Sequence, residues 1–213
     1  MILGFDHLAF TVTHLDQELA QLGQAGWQTQ FVARQVVNPP QKKPLLHHYL
    51  PFHDLVWCAS PLVGGAALEL VRHGESMAPS PSPYHLEEDG SITLSVADTG
   101  QEMIFWQKAL GFHSLAENSL ILKRPLPQWS CRITLQEEKN TPLSYLDSPG
   151  YPCVALLCSD VIKDTKHILK EGGWQAVEPF ELSPNGKPLL ITMLRTPGGA
   201  LCELIQPLRK ANS

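Results

Sequence analysis

Two carboxylates stand in places where a carboxylate needs a reason. Residues 64–70 read Gly-Gly-Ala-Ala-Leu-Glu-Leu and residues 198–204 read Gly-Gly-Ala-Leu-Cys-Glu-Leu, identical at five of seven positions. Each copy sets one acid, Glu69 or Glu203, inside an apolar strand-like run. Burying an ionised carboxylate is costly unless a cation or hydrogen-bond donors compensate it. A charge repeated at the same place in a repeated strand therefore points to a site. The strand-like run Phe5–Val12 places a histidine, His7, in a comparable setting near the start of the chain. Alternation puts His7, Ala9 and Thr11 on one face, opposite Leu8, Phe10 and Val12. It likewise puts Ala67, Glu69 and Val71 opposite Leu68 and Leu70.

These residues belong to a larger repeat, and a repeat governs the fold reading. The strand Phe5–Val12 is followed by leucines at helical spacing (Leu15, Leu19, Leu22), a capping box at Thr13-x-x-Asp16 and a stop at Gly26-Trp27. Ile92–Val96 is followed by Thr99-x-x-Glu102, Met103–Leu110 and Gly111-Phe112. Cys153–Cys158 is followed by Asp160, a helix to about Glu171 and Gly172-Gly173-Trp174. Further strand-like runs come after each stop: 57–62 and 67–71, 119–123 and 131–135, 189–194 and 201–205. The spacing predicts modules at 1–74, 89–138 and 149–208, with a tail at 209–213. The linkers are 75–88 and 139–148, the first rich in Pro, Ser and charge.

With 213 residues, 43% of them hydrophobic, the chain can bury a sizeable core. A net charge of −5 without a basic run argues against nucleic acid as a partner. No apolar stretch approaches the ~20 residues of a membrane span. No secretion leader is evident, and five cysteines without a CxxC fit reduced thiols. A cytoplasmic protein is the expectation. Cys131, Cys153, Cys158 and Cys202 lie in strand-like runs, where packing is the default role.

A repeated β-α-β-β-β unit with a histidine in its first strand and a glutamate in its last resembles the vicinal oxygen chelate superfamily. That group includes glyoxalase I, methylmalonyl-CoA epimerase, extradiol dioxygenases and bleomycin-resistance proteins. The matching stretches are Asp6–Phe10, Ala67–Val71 and Leu201–Ile205, with the Gly-aromatic stops. The resemblance implies an α+β protein whose modules carry curved mixed sheets that form a cup, here as an atypical three-module member. It places His7 and Glu69 at the metal-ligand positions of module 1 and Glu203 at the carboxylate position of module 3. The matching histidine position of module 3 falls on Cys153, a poorer ligand and a good packing residue. Module 2 offers only Ser91 and Thr134 and reads as degenerate. Imidazole with carboxylates suits Zn, Mn, Fe, Co or Ni without choosing among them.

The resemblance further implies a metal-dependent lyase or isomerase acting on a small oxygenated ligand through an enediolate. Glu69 or Glu203 would move the proton, and a non-catalytic binding or resistance protein is the alternative. A dioxygenase of this family would be expected to bring a second histidine. Two pairings are open. If modules 1 and 3 pair, one cup holds His7, Glu69 and Glu203 with Cys153 nearby. If modules 2 and 3 pair, as adjacency in the chain slightly favours, module 1 would find its copy in a homodimer. Asn38-Pro39-Pro40-Gln41 is similar to a segment of epimerase-like relatives and offers Gln41 as a weaker polar ligand. His47, His48 and His53 cluster without a metal spacing, and a solvated loop is their default. Trp57, Trp106 and Trp129 can wall a pocket, though core packing is the commoner role. Leu70–Ser76 also resembles the signature of histidine phosphatases, with His73 as the phosphorylated residue and Arg72 holding phosphate. Its position after a late strand and before a Pro-rich run speaks against that reading.

Overall fold

The computed structural model describes residues 1–208 apart from 140 and 142, so the tail 209–213 lies outside the described residues. The first module runs β1 (Ile2–Thr11), α1 (Leu15–Gln24), β2 (Gln28–Val37), a 3-10 turn over Pro40–Leu45, β3 (Phe52–Ala59) and β4 (Ala67–Arg72). The middle one runs β5 (Tyr84–Leu86), β6 (Ile92–Val96), α2 (Thr99–Leu110), β7 (His113–Ala116), β8 (Ser119–Leu122) and β9 (Cys131–Glu137). The last runs β10 (Gly150–Cys158), α3 (Val161–Lys170), β11 (Trp174–Leu182), β12 (Leu189–Arg195) and β13 (Leu201–Pro207). The fold is α+β, with curved mixed sheets.

The pairing of modules differs from what chain adjacency favours. β1 lies antiparallel to β10, with His7 opposite Ala155. This joins β2-β3-β4-β1 to β10-β13-β12-β11 in one eight-stranded cup built from the first and last modules. The physical reason lies in the strand edges. β1 and β10 are long and largely buried, as central strands are, and each gains a second neighbour by pairing with the other. The corresponding strand of the middle module, β6, already has its edge occupied by β5 from the same module (Tyr84 opposite Leu94). The stretch 75–88 is thus more than a linker. Its strand is only three residues long, too short for a periodicity signal. The middle sheet, β5-β6-β9-β8-β7, meets the cup at Tyr84–Tyr151. There the buried Tyr84 hydroxyl donates to the Leu201 carbonyl at 2.9 Å.

One apolar core runs through all three modules. It gathers Phe5 and Leu8 from β1, Leu94 from β6, Trp106 from α2, Leu156 from β10 and Leu204 from β13. The helices form as their sequences suggest, but two starts differ. α1 begins after His14 with no side-chain cap, so Thr13 does not make the capping box. At α2 the cap is Asp98, which accepts from the Gln101 N–H at 2.9 Å, while Glu102 turns into the core. Asp160 caps α3 by accepting from the Lys163 N–H. Gly111 closes α2 at φ 73°, a left-handed position that an L side chain rarely adopts.

The five cysteines are free and buried. Burial pushes the thiols of Cys158 and Cys202 up to about 12, and also raises Cys58, Cys131 and Cys153. Thiolate, not thiol, is the reactive form. The native protein is therefore expected to leave all five cysteines unmodified by a thiol reagent at neutral pH. The denatured protein should titrate all five, and rapid labelling of a native cysteine would contradict the burial described.

Candidate metal centre

Register brings the three predicted ligands together. His7 sits opposite Ala67 in β4 and opposite Ala155 in β10, and Ala155 sits opposite Glu203 in β13. Glu69 is two residues beyond Ala67, opposite Ala9. The alanines flanking His7 contribute only methyl groups, so the longer side chains converge over them. His7 Nε2 is 3.4 Å from Glu69 Oε2 and 3.9 Å from Glu203 Oε2. One ligand atom from each of the three lies within 4.8 Å of the others.

Asp6 completes the arrangement, and alternation missed it. A register shift in β1 between Phe5 and His7 lets Asp6 and His7 both line the cup. Its carboxylate is 2.8 Å from His7 Nδ1, which donates to it. That fixes the ring and leaves buried Nε2 without a hydrogen-bond partner, aimed at the two glutamates. Two ligands on a tetrahedral ion, each about 2.0–2.2 Å from it, are about 3.3–3.6 Å apart. The His7–Glu69 separation suits that and the His7–Glu203 separation is a few tenths of an ångström wider, while a carboxylate behind the ligating imidazole is the usual outer support of such a centre. The residues present fit a divalent cation.

The electrostatics follow from the crowding. Burial alone would lower the His7 value, but the Glu69 and Asp6 carboxylates overcome it and hold the imidazole well above its ordinary range. Burial would raise Glu69, yet the positive His7 ring brings it down. Glu203 is pushed up by burial, with Lys42 opposing and Glu69 reinforcing the shift. Of the two carboxyls, Glu203 is the one held nearer to a protonation change.

The weaker candidates do not join this group. Cys153 occupies the register position in β10–β13 that His7 has in β1–β4. It is buried among Ala9, Met193 and Leu201, and burial keeps it a thiol, so it packs. Gln41 is exposed, and the neighbouring Lys42 is the residue that turns inward. A lysine in a Pro-rich loop carries no sequence signal for this. His53 and Trp57 line the cavity, whereas Trp106 is in the core and donates from Nε1 to Glu102. Trp129 packs beside Gly4. His47 and His48 contact each other on a loop, and His47 also meets Tyr145. In the phosphatase-like motif, Arg72 is 3.7 Å from Asp54, a carboxylate that would compete with phosphate. His73 is buried with its ring against His53, 5.5 Å between centroids. No helix follows the motif, as that family requires.

Two βαβββ modules joined through their first strands, with a histidine in one first strand and a glutamate in each last strand, form the α+β cup of curved mixed sheets. No family model matches the sequence, and no curated protein matches it. Among solved structures it is similar to glyoxalase I from Zea mays, with 18% identity over 95% of this chain and 67% of that one, at a TM-score of 0.43. It is also similar to a glyoxalase/bleomycin resistance protein from Albidiferax ferrireducens T118, with 15% identity over 54% of this chain and 94% of that one, at a TM-score of 0.42. A hypothetical protein from Bacillus halodurans C-125 gives 11% identity over 98% and 97%, at a TM-score of 0.45.

The cup holds a cavity of about 480 Å³ above His7, Glu69 and Glu203. Its walls are mainly apolar, with Trp57, Leu182, Leu189 and Ile205 among them. No helix among the described residues is long and apolar enough to cross a membrane.

Proposed function

We propose that this protein is a metal-dependent lyase or isomerase of the glyoxalase type, acting on a small oxygenated molecule. The observation that carries the reading is the unpartnered His7 Nε2 facing Glu69 and Glu203 at the floor of an apolar cavity. A divalent ion held by His7, Glu69 and Glu203 would supply Lewis acidity toward vicinal oxygens of the substrate. Asp6 keeps the imidazole oriented. Glu69 stays ionised beside His7 and serves as a ligand. Glu203, whose carboxyl is raised by burial, takes the proton from the carbon next to the carbonyl and returns it. The apolar walls exclude water from the enediolate so formed.

Solvent deuterium exchange at that carbon, followed by proton NMR on metal-saturated protein, tests the assignment. Across small 2-hydroxy and 2-oxo carbonyl compounds, Glu203→Gln is expected to slow exchange by about 100-fold or more, the usual contribution of a positioned acid–base group. Exchange at the wild-type rate in that variant would remove Glu203 from the chemistry. A second reading has its own support: Cys153 replaces the second histidine, and the cavity is mainly apolar. Under it the protein sequesters a ligand, which would bind tightly with no exchange in the wild type.

A further inference from the structure

Lys42 is a buried cation that the proposed chemistry does not use. It is 9% exposed and lines the cavity beside the metal ligands. Lysine is almost never this buried unless paired. Among the described residues no carboxylate lies within 4.0 Å of it. Its ammonium instead sits over the Phe180 ring, 5.6 Å from the centroid.

The lysine is held there by construction. It lies on the 3-10 turn Pro40–Leu45, and the chain just after that turn is pinned by Asp147. That buried carboxylate accepts from the His47 and His48 N–H groups at 2.8 and 2.7 Å. The Leu146 N–H donates to the Leu45 carbonyl at 2.8 Å, and Thr11 donates to the Leu146 carbonyl at 2.6 Å. The charge of Lys42 acts on Glu203 and Glu69 from beyond ion-pair distance, and with no carboxylate in direct contact the ammonium is open to an anion brought from outside.

The neighbouring groups set that anion's charge. His53 lines the same cavity, and burial lowers its imidazole to about 4 with Lys42 adding to the effect. His73, against it, is likewise lowered by burial. Both rings are neutral at physiological pH, and each has an unpartnered Nδ1. They add polarity but no charge. The carboxylates of the lining, Asp6, Glu69 and Glu203, are gathered on His7, and its cations besides that ring are Lys42 and the exposed Lys187. Lys42 is the buried one, and its single ammonium matches a single negative charge on a ligand. Away from this end the walls are mainly apolar, through Leu182, Pro184, Pro188, Leu189 and Ile205, with the exposed Lys187 on the same stretch.

We propose that Lys42 marks a carboxylate-binding subsite, so that the cavity takes an amphipathic monoanion with its carboxylate at Lys42 and its apolar body along the Leu182–Ile205 wall. This names the substrate class for the site proposed above, but its test needs neither metal nor turnover. Octanoate, octanamide and octyl phosphate are titrated calorimetrically against metal-stripped full-length protein. Octanoate is expected to bind about tenfold or more tighter than octanamide, the scale of one charge-assisted hydrogen bond. Lys42→Met is expected to bring that ratio to about one while leaving octanamide binding unchanged, and Lys42→Arg to preserve the preference. Lys42→Gln is the second neutral variant should the methionine protein not fold. Equal affinities in the wild type, or a preference that survives loss of the lysine charge, would overturn the proposal. So would octyl phosphate binding tenfold tighter than octanoate, which would make this a phosphate subsite. Because these arms run without metal, a failed metal assignment and a failed Lys42 assignment give different results.

Discussion

Replacing His7 by alanine is expected to abolish tight divalent-metal binding. The wild-type protein, equilibrated with Zn or Mn and desalted, should retain about one ion per chain, held by three ligands with open positions. His7 supplies the only nitrogen of the described ligand set. Its removal leaves two carboxylates that repel one another and a hole where Nε2 was. Asp6→Asn is the graded comparison, since it weakens only the hydrogen bond at Nδ1. Loss of such an outer partner typically costs about 10–100-fold in affinity, and His7→Ala should exceed that range. Metal content unchanged in His7→Ala would show that this is not the site.

The same residue sets a pH dependence. Without metal, the neighbouring carboxylates hold His7 well above its ordinary value despite burial, which favours its protonated form. An incoming ion must displace that proton. Apparent metal affinity is therefore expected to rise with pH, by about tenfold per unit while His7 remains protonated. In the metal-free protein the linkage runs the other way. A folded value raised above the unfolded one gives stability that is full below the unfolded value of about 6.5 and is lost as pH rises through the folded value. Chelation and mild alkali together should lower the melting temperature more than either alone. A metal affinity flat between pH 6 and pH 9 would contradict this coupling.

The largest expected effect on stability lies far from the cup, at Glu102. This carboxylate is 1% exposed and joins the middle module to the last one. It accepts from Thr196 Oγ1 at 2.6 Å, from the Gly198 N–H at 2.5 Å and from Trp106 Nε1 at 2.9 Å. Glu102→Ala strands two buried donors and the part-buried Gly198 N–H, and opens a cavity beside Trp106. At about 1–3 kcal/mol per stranded group, with incomplete additivity, the cost is expected to be about 3–5 kcal/mol. For a chain of this size that corresponds to roughly 10 °C in melting temperature. Glu102→Gln keeps one acceptor oxygen for Thr196 and Gly198 but presents an amide N–H to the indole N–H. It should cost roughly 1–2 kcal/mol. A melting temperature within a degree or two of wild type in Glu102→Ala would show that this junction contributes little.

Much of the fold was legible because its signals are local. The glycines that stop the helices, Asp160 as a cap, and the apolar runs of β1, β4, β10 and β13 can each be read within a few residues. The strands that escaped notice are β2, β7 and β11. β2 is an edge strand with much of its length exposed, β7 is exposed throughout, and β11 is an edge strand of mixed burial, so none shows a clean alternation. β5 is too short to show any pattern. The Thr99 and Glu102 pair fits a capping box by spacing, but packing gave the carboxylate a better partner set across 94 residues.

For the site, the sequence by itself determined which residues have ligand chemistry and which face of each strand they share. His7, Glu69 and Glu203 follow from strand period and from the repeat, because both are properties of neighbouring residues. Tertiary structure alone decided that the three meet in one chain. Glu203 reaches His7 only because β5 closes the edge of β6 and leaves β10 to pair with β1, an outcome of edge competition that no local pattern encodes. It also decided Asp6, which a register shift in β1 turns toward the cup, and Lys42, which a pinned turn carries inward. Both depend on where the chain is held from a distance, and that is why a sequence of alternating residues cannot show them.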